Sequence, residues 1–249
     1  MNSFHVLGVR VDAVQIPAVV SIMEEWIRER RSARFIAVTG MHGVMESRRS
    51  PEFKRVLEDA DIVVPDGMSL VWVGRRQGLR LDRRVYGPEL METFLRETGN
   101  RYTHFLYGGA PGVAESLARR LRESLNTQVA GVYCPPFRPL NDTEERALAA
   151  VVERLRPDVI WVGLSTPTQE RWMHSHRQLP VPVMVGVGAA FDFLAGTVRQ
   201  APPWMRENGL EWFYRLVSEP RRLWYRYLVL GSKFAWNVSL QLLRLKQFN

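Results

Sequence analysis

Four polar stretches each follow a short apolar run, which is where an α/β sheet presents chemistry. Phe35-Ile-Ala-Val38 runs into TGMHGVME, which opens on Thr39 and carries His42. Ile62-Val-Val64 runs through Pro65 into Asp66 and Gly67. His104-Phe-Leu-Tyr107 runs into GGAPGVAE, and Val159-Ile-Trp-Val162 into GLSTPTQERW. A lone carboxylate such as Asp66 can take a proton from a hydroxyl, or it can cap the next helix. Thr39 can hold a ligand or cap a helix, and His42 is a loop candidate beside it. Gly108 and Gly109 allow close approach of backbone to a ligand, Pro111 suits a first helical turn, and the N–H groups there favour a phosphate. Ser165 and Thr166 can cap the helix that Pro167 starts, while the neutral amide of Gln169 can orient a sugar hydroxyl or a base.

The elements that would position these groups alternate. Strand-like runs at 35–38, 62–64, 104–107, 129–133, 159–162 and 183–187 are separated by helical patterns at 17–31, 51–59, 68–77, 88–98, 111–124, 142–155 and 168–178. That order predicts an α/β fold, Rossmann-like, with a mostly parallel sheet and helices on both faces. FHVLGVRVDAV, near the start, reads as a small hairpin or an edge strand. After Ala201-Pro-Pro203 no strand signal returns, and Leu223, Tyr227, Leu230, Phe234, Val238, Leu242 and Leu245 recur three or four apart, as on one helix face. The chain is therefore expected to comprise an α/β body over 1–200 and a C-terminal helical appendage over 201–249.

Composition narrows the class. With 46% hydrophobic and 24% charged residues, the chain has the material for a packed core. The single cysteine, Cys134, cannot form an internal disulfide and suits a reducing compartment. MNSFHVLGVRVDAVQ shows no charged-then-apolar leader, so no secretory signal is expected. No uncharged apolar run reaches the roughly 18 residues that cross a bilayer. The formal charge is +8, and from Trp204 onward eight basic residues face three acids, leaving +5 in the last fifth of the chain. Trp204, Trp212, Trp224 and Trp236 fall there as well. A basic, aromatic segment expects an anionic partner.

Several chemistries are disfavoured. G-x-G-x-x-G is absent, and VAGVYC ends without the acid that would hold a ribose, against a nicotinamide cofactor and hence against a sugar-nucleotide epimerase or dehydrogenase. Asp59-Ala-Asp61 has a metal-binding spacing but precedes its strand, at the wrong edge of the sheet, and His174 and His176 point to different helix faces. No metal and no cofactor is expected. A basic binder of nucleic acid is permitted by the charge, but no nucleic-acid motif occurs.

The ordered stretches VTGMHGVME, ADIVVPDGMSLVW, RRVYGPEL, FLYGGAPGVAE, DVIWVGLSTPTQERW, GVGAAFDFLAGTVRQAPPWM and GLEWFYRLVSEPRRLWYRYL together resemble the WecG/TagA/CpsF family of glycosyltransferases, over about 35–228. The resemblance implies transfer of a sugar, N-acetylmannosamine, its uronate or a hexose, from a UDP-sugar donor to a polyprenyl-diphosphate-linked acceptor. It implies inversion without a metal, at the cytoplasmic face of a bacterial plasma membrane, in cell-surface polysaccharide synthesis. It makes Asp66 the general base and adds Thr39, Arg84 and Gln169 to the catalytic set. It places His42, Gly108, Gly109, Pro111, Glu170, Arg215, Arg222 and Arg226 on the substrates, the last three in an appendage that docks on the membrane. Met41 stands where the family has asparagine, and Thr168 where it has lysine. An apolar stripe on the appendage is also compatible with self-association.

Overall fold

A computed structural model describes residues 1–31 and 33–248. Among the described residues there are eight strands: β1 (Ser3–Val6), β2 (Val9–Asp12), β3 (Arg34–Thr39), β4 (Ile62–Pro65), β5 (Thr103–Gly108), β6 (Gln128–Tyr133), β7 (Val159–Gly163) and β8 (Val183–Gly186). β1 and β2 form an antiparallel hairpin. The other six make one sheet in the order β4-β3-β8-β7-β5-β6. β3 with β8, β8 with β7, β7 with β5 and β5 with β6 are parallel. The architecture is α/β with C-terminal helices, as the alternation of apolar runs and helical patterns predicts.

Two compact units divide the chain, and the division passes through β3. The first holds Met1–Gln15, Val38–Tyr86 and Arg199–Asn249; the second holds Ile16–Ala37 and Gly87–Val198. In the first unit, the carboxylate of Asp12 accepts from the backbone N–H of Val63 at 2.8 Å, pinning the hairpin to β4. Gln241 uses both ends of its amide on the hairpin, accepting from Leu7 N–H and donating to the His5 carbonyl. The helix Pro51–Glu58 starts with Pro51, and Ser50 caps it by accepting from Phe53 N–H.

The helix Met41–Arg49 is an addition to the sequence expectation, and it puts His42 in a first helical turn rather than a loop. Gly43 at its start is a poor helix former, so propensity hides it; Val44 and Met45 are buried and anchor it. Neither candidate cap operates. The N-cap of Met41–Arg49 is Gly40 and that of Met68–Arg76 is Gly67, both without a side-chain cap bond. The last segment is also subdivided: Pro220–Trp224 and Gly231–Leu242 are α-helical, and Tyr225–Leu230 between them is π-helical. Leu223, Leu230, Phe234 and Val238 of the expected stripe are buried, whereas Leu242 and Leu245 are exposed. Among the described residues no helix is long and apolar enough to cross a membrane.

In the second unit the helix Val113–Leu125 begins after Gly112, so Pro111 precedes it instead of lying in its first turn. The unit's core packs Phe94 against Trp161 and His104. Trp161 donates its indole N–H to Nδ1 of His104 at 3.2 Å, so the imidazole is neutral at that nitrogen. Burial pushes the His104 pKa down to about 4, despite the opposing charge of Asp158. The unfolded imidazole takes its proton near the ordinary His value, so between that pH and about 4 the unfolded chain binds more protons. Stability is therefore lost as the pH falls through that window, by up to roughly 3 kcal/mol. Urea unfolding at pH 7 and pH 4.5 checks this. His104→Asn keeps an acceptor for Trp161 and is expected to flatten the pH dependence; an unchanged slope would contradict the assignment.

Candidate active site

In the first unit the ends of two strands come together. Asp66 follows β4, and its backbone N–H donates to the carbonyl of Thr39, the last residue of β3, at 2.9 Å. A Cβ placed on Gly40 would lie 3.7 Å from Oδ2 of Asp66, so the bare backbone of Gly40 lines one side of the carboxylate. The Thr39 side chain is buried, and its hydroxyl has no hydrogen-bond partner. A buried hydroxyl without a partner costs free energy and suits a ligand's polar group.

The segment Arg84–Tyr86 lies against the same strand end. Val85 N–H donates to the Pro65 carbonyl at 2.8 Å, and Arg84 Nη1 reaches the Asp66 carbonyl at 3.4 Å. Arg84 Nη2 forms an ion pair with Glu211, and Tyr86 donates its hydroxyl to the other oxygen of Glu211 at 2.9 Å. The guanidinium lies over the Tyr86 ring, 4.1 Å from its centroid. Burial alone would lower the Arg84 pKa, but the carboxylates of Glu211 and Asp66 outweigh it and raise it. Tyr86 is pushed up by burial and by the same two carboxylates, so it stays a phenol and donates.

Arg226 sits on the π-helical turn. It is half-buried, and its Nε is buried without a hydrogen-bond partner. Burial lowers its pKa, with the like charges of Arg215 and Arg222 adding to the effect and Tyr227 and Asp66 opposing it. A π-turn adds a residue to the helical ladder and commonly marks a functional position. The outcome here is a partly desolvated guanidinium with one donor, Nε, unsatisfied. Arg222 is more exposed and pairs with Glu219 at 2.6 Å. Thr39, Asp66, Arg84, Arg215, Arg222 and Arg226 thus belong to one unit, and His42 lies in it two residues after Gly40.

The remaining candidates lie in the second unit. Gly108 and Gly109 have φ of 119° and 79°. Gly109 N–H is committed to the Gly163 carbonyl at 2.9 Å, so the turn has that donor already in use. Pro111 is exposed, and Glu115 occupies the first turn of the helix that follows. Gln169 and Glu170 are buried. Gln169 accepts from Gly188 N–H and donates to Glu170, each at 3.0 Å, and Thr166 donates to Glu170 at 2.8 Å. Both ends of the Gln169 amide therefore bind protein, ordering the loop after β8. Among the described residues no group of three or more His, Cys, Asp or Glu side chains is arranged to hold a metal ion.

A model of the WecG/TagA/CpsF family of glycosyl transferases matches residues 4–248. The chain belongs to that family. Membership makes it a glycosyltransferase and decides against the dehydrogenase and binding-protein alternatives. An N-acetylglucosaminyldiphosphoundecaprenol N-acetyl-beta-D-mannosaminyltransferase of Bacillus spizizenii (strain ATCC 23059 / NRRL B-14472 / W23) is 31% identical over 86% of this chain and 82% of its own length. A protein of the same name from Bacillus subtilis (strain 168) is 29% identical over 88% of this chain and 84% of its own.

Two residues of the site, Tyr86 and Glu211, do not stand out in the sequence, although both lie in stretches that carry the family resemblance, RRVYGPEL and GLEWFYRL. The faint signal is that Glu211 is one of three acids in a basic tail. For the second unit, a Cβ on Gly108 would meet the Gly163 carbonyl oxygen at 2.6 Å, at a φ that L-residues rarely adopt. Gly108→Ala is expected to destabilise the protein by roughly 2–4 kcal/mol. Thermal unfolding of the variant checks it, and a wild-type melting temperature would contradict it.

Proposed function

We propose that this glycosyltransferase moves N-acetylmannosamine from a UDP-sugar to an acceptor sugar carried on a polyprenyl diphosphate, with inversion and without a metal. The acceptor and the sugar follow the names of the two Bacillus relatives. The uronate of that sugar and the hexoses are the donors against which it is to be compared. The observation that supports the chemistry best is that one unit holds both Asp66 and a half-buried Arg226 whose Nε is unsatisfied and which feels the Asp66 charge. One supplies a base and the other an unused positive charge.

In the proposed step Asp66 takes the proton of an acceptor hydroxyl, and the oxygen attacks C1 of the donor sugar from the face opposite the diphosphate. The new C1–O bond forms as the bond from C1 to the phosphate oxygen breaks, and UDP leaves with the electron pair. Negative charge grows on the leaving diphosphate, and Arg226, Arg215 and Arg222 are its proposed partners. Preorganised donors of this kind contribute on the order of 3–4 kcal/mol each in other enzymes. Thr39 and His42 are assigned to the acceptor and Arg84 to the charge balance of Asp66. In the second unit Gln169 and Glu170 order the loop after β8.

The lipid-linked acceptor implies work at a membrane surface. Trp204, Trp212, Phe213, Val217, Trp224, Leu228 and Trp236 are exposed on the last segment, with the exposed Arg221, Arg222 and Lys233 among them. Aromatic and basic side chains in this mixture favour an interfacial position, and each basic residue near an anionic leaflet gains about 1 kcal/mol. A peripheral location on the cytoplasmic face of a bacterial membrane is the proposed setting. Flotation with vesicles is expected to show binding to anionic phosphatidylglycerol that weakens with salt and is lost in Trp204→Ser/Trp224→Ser/Trp236→Ser. Equal binding to neutral and anionic vesicles, or none, would argue against it.

Release of UDP from a panel of UDP-sugars, with a short-chain polyprenyl-diphosphate N-acetylglucosamine acceptor and EDTA present, tests the reaction. Acceptor-dependent release is expected with UDP-N-acetylmannosamine, and Asp66→Asn should lower it by about 10²- to 10⁴-fold. Loss of activity in EDTA that a divalent ion restores would overturn the metal-independent reading.

A further inference from the structure

Glu211 is given no part in the reaction above, yet both of its carboxylate oxygens are engaged. Its two oxygens serve two different side chains, Arg84 through the ion pair and Tyr86 through the phenol. Both partners lie on one short segment that is fastened to the strand end beside Asp66 by the Val85–Pro65 bond. The ion pair is largely out of water, with side-chain exposures of 13% and 11%. A desolvated pair of this kind is weak evidence for stability, because apolar residues of similar size often serve as well. It does fix the position of a charge.

We propose that Glu211 is a positioning residue for sugar transfer, holding the Arg84 guanidinium against the Tyr86 ring so that its charge is shared between Glu211 and Asp66 rather than given wholly to Asp66. The inference rests on the reading of Asp66 as the base. Arg84 and Arg226 feel the Asp66 charge directly, and the titratable groups of this unit come from several elements. Arg84 and Tyr86 precede the helix Gly87–Thr98, Glu211 and Arg215 come from the helix Glu211–Ser218, and Arg222 and Arg226 from Pro220–Trp224 and the π-turn. His42 stands on the helix that begins beside the carboxylate. Positive charge predominates in this set, and a carboxylate wholly paired with a guanidinium is a poor base. Glu211 is the acid that offsets Arg84. Once it is neutral, Asp66 is the other carboxylate that Arg84 feels. The same geometry couples the reaction to the last segment of the chain, since the carboxylate that orients Arg84 is supplied by a helix that follows residue 210.

The test is the pH dependence of transfer by the full chain, for wild type, Glu211→Gln, Glu211→Asp and Asp66→Asn. Glu211→Gln is expected to lower kcat about tenfold or more and to move the acid limb of the kcat profile down by about one pH unit, with the donor KM within about twofold. Glu211→Asp restores the charge and is expected to return the acid limb toward its wild-type position. A lowered rate in Glu211→Gln with an unmoved acid limb would mean a purely structural role and would overturn the inference. Tyr86→Phe, which frees one oxygen of Glu211 and leaves every charge in place, carries the test if Glu211→Gln does not fold. A severalfold loss of kcat is then expected, and wild-type kcat would overturn the inference. Asp66→Asn separates the two readings: if it stays active, the base assignment fails; if it is inactive while the Glu211→Gln limb is unmoved, the Glu211 inference alone fails.

Discussion

A guanidinium withdrawn from water must keep a carboxylate, and in the first unit that requirement is met across 127 residues of sequence, by Arg84 and Glu211. Removing one partner from such a pair leaves an unpaired buried charge at a cost of several kcal/mol. The pair therefore holds its segments in place even if its net contribution to stability is small. Around it the backbone of Val85 is bonded to Pro65, Asp66 to Thr39, and the Tyr86 phenol to the second oxygen of Glu211. Each contact is ordinary alone. Together they give a solvent-accessible carboxylate a fixed position at the end of a buried strand.

The second unit solves a different problem, the close approach of neighbouring strand ends. Gly108 lies where any side chain would strike the Gly163 carbonyl, and at Gly163 a Cβ would meet the Phe191 ring at 2.6 Å. Gln169 and Glu170, buried and bonded to each other, order the loop at Gly188. Their chemistry is that of a scaffold for loops, in contrast with the roles proposed for Asp66 and Arg226. For the proposed reaction this divides labour between groups that act on substrates and groups that keep loops in register.

Much of the fold is legible in the sequence. The six runs of β-branched and aromatic residues became the six strands of the sheet because buried parallel strands need continuous apolar sequence, and FHVLGVRVDAV, readable as a hairpin or an edge strand, forms the hairpin. Asp66 and Thr39 were identifiable because they follow such runs. What the sequence left hidden has physical reasons. The helix at Met41–Arg49 contains Gly43 and is held by tertiary burial, which outweighs its low propensity. Pro111 precedes its helix because Gly112 takes the left-handed N-cap position. The π-turn at Arg226 continues an apolar pattern that reads as unbroken α-helix. Glu211 was least visible, since no local pattern tells which of several acids in a basic tail will be buried against a distant arginine.

The central claim is that Asp66 activates an acceptor hydroxyl for a single direct displacement at the sugar's C1. The configuration of the new linkage reports on that most directly, read by NMR from the one-bond C1–H1 coupling of the transferred sugar after reaction with an α-configured UDP-sugar. One displacement predicts a β-linkage. An α-linkage would mean retention, and with it a mechanism in which Asp66 is not the base that this account requires.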